Sequence, residues 1–272
     1  MKKLLIFFVI ISCFSGVVFS QTDMDDDDGF SPLDSYYLGR AVAAKILTSY
    51  KVYNNKELTQ YVNKICQVLV INSDYPVPYN GYFVTILDSN EFNAFATPGG
   101  HIFITKRMVE SASSEDMVAA VIAHELAHVM LRHGIQVINE SKFENEMSAI
   151  ADMMAGNAAG MSAEAARAKR FRDYITNSID TLIKSGYSQI QEYEADKEAV
   201  ILLLNAGYDP TALLGMFKIL QTVMDSQHGR GLYSTHPSPE HRIANLERLE
   251  RLKFHKNDTL RYRLKRFKSM KF

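Results

Sequence analysis

The sequence predicts an α+β fold, mostly helical, with a small β-sheet packed beside one buried helix. Three observations carry this expectation. Apolar residues recur at three- and four-residue intervals over Tyr36 to Tyr50 and Glu57 to Ile71, as in Leu58, Tyr61, Val62, Ile65, Val68 and Leu69, which is the spacing of amphipathic helices. Three short runs follow, Tyr82 to Leu87, Phe92 to Ala96 and His101 to Thr105, with the β-branched and aromatic character of strands. Beyond them, Met117, Val118, Val121, Ile122, Leu126, Val129, Met130 and Leu131 surround a single helix with apolar side chains, so that helix is expected to be buried.

The 272 residues, 47% hydrophobic and 22% charged, are those of a globular protein of one large or two small domains, and exclude a disordered whole. At the N-terminus, Lys2 and Lys3 precede an apolar run from Leu4 to Phe19, and Val18-Phe19-Ser20 offers cleavage-compatible residues. Residues 1–20 therefore read as a secretory signal. Two alternatives stay open. One is a retained membrane anchor, although Ser12, Ser15 and Gly16 interrupt the run and it falls short of about 20 spanning residues. The other is a lipoprotein signal with lipid on Cys13, since Ile10-Ile11-Ser12-Cys13 loosely resembles a lipoprotein cleavage box. All three imply export. If Cys13 leaves with the signal, Cys66 has no disulfide partner and the fold rests on its core.

Residues 21–34, with Asp23, Asp25, Asp26, Asp27, Asp28, Gly29 and Pro32, read as a solvated acidic linker; the spaced pattern of a calcium loop is missing. The body of the protein is expected over 35–252. Within it, Tyr75 to Gly81 is dense in turn residues, and Thr97-Pro98-Gly99-Gly100 makes a hairpin-like turn between the second and third strands. Ser113 and Ser114 ahead of Glu115 and Asp116 mark a helix N-cap and acidic first turn, and Gly134 a C-terminal stop, so the buried helix spans about Ser114 to His133. The Ala-, Gly- and Met-rich segment Ser141 to Ala168 reads as a mobile insertion. Helices are then expected from Gln189 to Gly207, from Asp209-Pro210 to about Met224, and after Ser238-Pro239.

The chemistry concentrates in the buried helix. His124-Glu125-Leu126-Ala127-His128 puts two imidazoles one turn apart on one face, where both can ligate one metal, and Glu125 beside a metal-bound water as general base. An ionised Glu125 in that apolar run is costly without a metal or partner. The second constellation is Glu192-Tyr193-Glu194-Ala195-Asp196. Glu192 and Asp196 share a face with Ala199 and Leu203 and point inward, whereas Glu194 lies about half a turn away with Glu198. Glu192 is the better third ligand, with Asp196 placed to hold a ligating histidine through its other ring nitrogen. Standing alone, a Glu-x-x-x-Asp pair is more often a solvated helix face.

From 253 to 272 the chain is a basic tail: Lys253, Lys256, Arg261, Arg263, Lys265, Arg266, Lys268 and Lys271 against Asp258, interleaved with Leu260, Tyr262, Leu264, Phe267 and Phe272. It reads as a solvated or disordered end, or as a binder of anionic membrane or an acidic partner. Nucleic acid is not expected, because an exported chain of formal net charge -1 would not meet it.

Three motifs in order, His124 to His128, Glu192 to Asp196, and Ser234-Thr235-His236-Pro237-Ser238-Pro239 ahead of Arg242, together resemble the HtpX-, BepA- and LoiP-like zinc metallopeptidases, gluzincin-type relatives of the Oma-type and CAAX-processing proteases. The resemblance runs from about Tyr36 to Leu252 and includes Asn93-Ala94-Phe95-Ala96-Thr97-Pro98-Gly99-Gly100, similar to that family's strand and turn beside the active site. It implies a gluzincin-like metallopeptidase domain and one zinc ion per subunit held by His124, His128 and Glu192, with Glu125 as general base and Asp196 behind a ligand. It also implies that His236 approaches the zinc, as a regulatory fourth ligand or a transition-state donor, with Arg242 nearby. Asn93, Ala94, Phe95 and Ala96 would pair with an extended protein or peptide substrate. The expected branch is exported and without extra spanning helices or a helical repeat domain. It would reside in the periplasm, free, membrane-associated or lipid-anchored, and degrade misfolded or misassembled proteins. A latent or chaperone-like zinc-bound factor and a small-molecule zinc hydrolase are the alternatives.

Overall fold

In the computed structural model, residues 31–139, 186–226, 239–249 and 259–270 are described, together with 176, 177, 179, 180, 182, 183 and 236. The expected signal with Cys13 and the insertion at 141–168 lie outside them, as do Ser234, Thr235, Pro237 and Ser238 of the third motif.

Helix α1 (Pro32–Ser49) begins inside the segment expected to be linker. Ser31 caps it, accepting from the Asp34 N–H while the Asp34 carboxylate accepts from the Ser31 N–H, a reciprocal box that spacing over 31–34 allows. Helix α2 (Lys56–Ile71) buries Leu58, Tyr61, Val62, Ile65 and Leu69 of the expected apolar stripe together with Cys66, whereas Val68, expected in the stripe, is exposed. Its Asn63 side chain bonds both the N–H and the C=O of Val84 and so ties α2 to strand β1 (Phe83–Leu87).

Strands β2 (Ala94–Ala96) and β3 (His101–Thr105) form the expected antiparallel hairpin, whereas β1 runs parallel to β3, giving the order β1-β3-β2. The turn between β2 and β3 needs glycine at position 99: φ is 84°, and a Cβ there would lie 2.8 Å from the Ser35 carbonyl oxygen on α1. A short helix α3 (Lys106–Ser111) then leads to α4 (Glu115–Met130).

Helix α4 is the hub. Thirteen of its residues, Glu115, Asp116 and Val118 to His128, are buried. Around it pack α2, β2, β3, α5 (Gln189–Asn205), α6 (Thr211–Ser226) and α8 (Leu260–Ser269), while α7 (Pro239–Leu246) sits on α5 and α6. The helix stops three residues before the expected His133, and Gly134 is not its terminator. The reversal is made by Arg132 at φ 58°, after which 133–139 is helical again.

The basic tail also behaves differently from a free end. Within it, α8 buries Phe267 and Arg263 against the core. Arg263 donates to Asp116 from Nε at 3.1 Å and Nη2 at 2.9 Å, and Arg266 Nε donates to Glu115 at 2.7 Å. Glu115 also accepts from the hydroxyls of Tyr61 and Tyr208. Two carboxylates at the positive end of α4 thereby meet two guanidiniums from the end of the chain. No described helix is long and apolar enough to cross a membrane.

Candidate metal centre

Two helices face each other to make the site. Ser114 caps α4 and Ser188 caps α5, the latter in a reciprocal box with Gln191, so both helices enter the core with their first turns satisfied. On α4, the one-turn spacing sets His124 and His128 edge to face, with Nε2 atoms 3.1 Å apart. From α5, Glu192 brings Oε2 to 3.5 Å from His124 Nε2 and Oε1 to 3.4 Å from His128 Nε2. His236 follows, its Nδ1 2.6 Å from Glu192 Oε1 and its Nε2 3.8 Å from Glu125 Oε1. The four donors of His124, His128, Glu192 and His236 lie within 4.8 Å of one another, and all four residues are buried.

This arrangement fits zinc. Nitrogen ligands at about 2.0–2.1 Å in a tetrahedron stand roughly 3.3 Å apart, close to the separations seen among the two imidazoles and the Glu192 carboxylate. Two ring nitrogens facing each other at 3.1 Å are reconciled by a shared cation. Glu125 is buried beside them, and its Oε2 has no hydrogen-bond partner among the described residues. Burial raises the Glu125 carboxyl above its ordinary value and readies it to take a proton.

Behind the donors, Asp196 Oδ1 stands 3.0 Å from His124 Nδ1 and holds that imidazole with Nε2 toward the site. Arg242, on α7, is buried beside the donors, with Nη2 3.2 Å from both ring nitrogens of His124, and it lines the same cavity as Glu125 and His236. It donates Nε to Asp196 Oδ2 at 2.8 Å, places Nη1 2.7 Å from Glu192 Oε2, and stacks its guanidinium 4.2 Å over the Phe217 ring. Burial alone would push the Glu192 and Asp196 carboxyls up; the Arg242 charge reverses this and holds both below the usual carboxylate range.

Two neighbours were not legible in the sequence. Tyr187 stacks on His128 with centroids 3.8 Å apart and sets its hydroxyl 3.5 Å from the Ala96 carbonyl. His133 places Nδ1 2.9 Å from His128 Nδ1 and Nε2 3.3 Å from Glu194 Oε2. In an uninterrupted helix a residue five positions on points about 140° away, so periodicity gives His133 no role. The turn at Arg132 brings it back.

Asn93, Ala94, Phe95 and Ala96 are buried, with β2 at the edge of the sheet and Tyr187 over its end. Ala94 also lines an apolar pocket walled by Phe92, Val121, Leu213 and Met216, which ends on His124, Glu125, His236 and Arg242.

Residues 56–250 match the family model described as Peptidase family M48. The chain is similar to the beta-barrel assembly-enhancing protease of Escherichia coli (strain K12), 26% identical over 216 residues that cover 76% of this chain and 42% of the relative. It is similar to the mitochondrial metalloendopeptidase OMA1 of Schizosaccharomyces pombe, 31% identical over 157 residues, 57% of this chain and 42% of the relative. The human mitochondrial metalloendopeptidase OMA1 is 25% identical over 190 residues, 68% of this chain and 36% of the relative. The chain thus spans less than half the length of these relatives.

Proposed function

The chain belongs to peptidase family M48, and from that premise and the donor geometry we infer that it is a zinc-dependent endopeptidase of the bacterial cell envelope that degrades misfolded or misassembled exported proteins. The observation that carries this is the buried His124, His128, Glu192 set with the Glu125 carboxylate against it, whose Oε2 has no hydrogen-bond partner among the described residues. Bound there, zinc supplies Lewis acidity that acidifies a water and polarises a peptide carbonyl. Glu125 takes the proton and passes it to the leaving amine. Asp196 fixes the His124 tautomer, and Arg242 keeps Glu192 and Asp196 ionised in a dry interior.

An unfolded substrate is favoured by two features. The Asn93–Ala96 edge offers backbone groups to an extended chain once Tyr187 yields its position, and the apolar cavity ending on Glu125 takes a side chain that a folded protein hides. The signal-like N-terminus supports an exported location. Replacing Glu125 by Gln is expected to leave zinc bound and abolish casein cleavage; undiminished turnover refutes the assignment.

The position of His236 among the donors favours a second, latent reading, in which its imidazole fills the place of the attacking water. His236→Ala is then expected to raise basal casein cleavage. A fall would instead make His236 a catalytic donor.

A further inference from the structure

We propose that His133 and Glu194 form the outer support of His128, so that helix α5 supplies a carboxylate to the metal and one to the back of each ligating histidine. This rests on the zinc site described above. His124 has its support directly, in Asp196 at 3.0 Å from Nδ1. Among the described residues His128 has no carboxylate at its Nδ1; it has the Nδ1 of His133 at 2.9 Å, and the other nitrogen of His133 meets Glu194 at 3.3 Å.

The protonation pattern follows from the ligand. A histidine that binds through Nε2 carries its proton on Nδ1 and donates it. His133 Nδ1 must therefore accept, which puts the His133 proton on Nε2, facing Glu194. Each proton along the chain is thereby assigned, from His128 through His133 to a carboxylate that is 56% exposed. Two further observations agree. Arg132 adopts the left-handed φ of 58°, uncommon for a residue with a side chain, at the position that aims His133 back at His128. Tyr187 stacks on the His128 ring, so the ring plane and the ring nitrogen are held by different groups.

His133 is accordingly a positioning residue. In the zinc-loaded protein, nitrogen-15 NMR is expected to show His133 as the Nε2–H tautomer and His128 as Nδ1–H; His133 protonated on Nδ1 overturns the proposal. By chelator competition, His133→Phe is expected to weaken zinc binding about 10–100-fold. His133→Gln, whose amide oxygen accepts while its nitrogen donates, should recover most of that loss. Unchanged affinity in a folded His133→Phe protein refutes the role. If the Phe variant does not fold, Glu194→Ala, altered at the exposed end of the chain, is expected to weaken zinc several-fold, and wild-type affinity there overturns the assignment. These readouts do not depend on peptide cleavage, so a protein that binds zinc in this way and cleaves nothing would refute only the peptidase reading.

Discussion

At the scale of single residues, the site divides carboxylates that sequence spacing leaves close together. Glu192, Glu194 and Asp196 sit on one helix within five positions, yet Glu192 and Asp196 are sealed in the core while Glu194 faces outward. The inward pair was readable from its share of a face with Ala199 and Leu203; what each carboxylate touches was not. Glu192→Ala is expected to cost more than about 100-fold in zinc affinity, beyond the range for outer partners. Retention of full metal by that variant with loss in Glu194→Ala would exchange their roles. Arg242 shows the complementary limit. Its place in the third motif is a property of the sequence, but only the fold shows it braced between Asp196 and Glu192 over Phe217.

Among elements, the decisive one is α4, whose apolar surround and N-cap announced a buried helix. Its end departs from the expected glycine stop at Gly134, because Arg132 takes the left-handed conformation that glycine usually supplies. The C-terminal segment is the larger surprise. Its alternation of basic and apolar residues suits a solvated face or a membrane surface as well as it suits α8, which spends Arg263 and Arg266 on the first turn of α4. Pairing across 147 positions has no local signature. Arg263→Ala leaves Asp116 buried without its guanidinium and is expected to destabilise the fold by about 3 kcal/mol, read by urea denaturation. A change within about 0.5 kcal/mol would show that α8 rests on the body without anchoring it.

For the molecule as a whole, proton and metal compete for the same centre. Burial and Arg242 depress the affinity of His124 for a proton, but Asp196 and Glu192 outweigh them and lift its pKa from 6.5 to about 9. In the metal-free protein this proton adds stability that is fully present below pH 6.5 and lost as pH rises through about 9. Because zinc must displace it, apparent zinc affinity is expected to rise about tenfold per pH unit across that window and level off above it. A flat profile would mean that His124 is already neutral. The sequence by itself determined the helical class, the hairpin beside α4, and the pairing of a His-Glu-x-x-His helix with an acidic one, because 3.6-residue periodicity and one-turn spacing are local properties. Only the tertiary structure decided that His236 reaches the donors, that Arg242 braces two carboxylates, that His133 turns back to His128, and that the end of the chain closes on the start of α4. Those contacts join residues far apart in the chain or across a break in a helix, where distance depends on packing and carries no periodic trace.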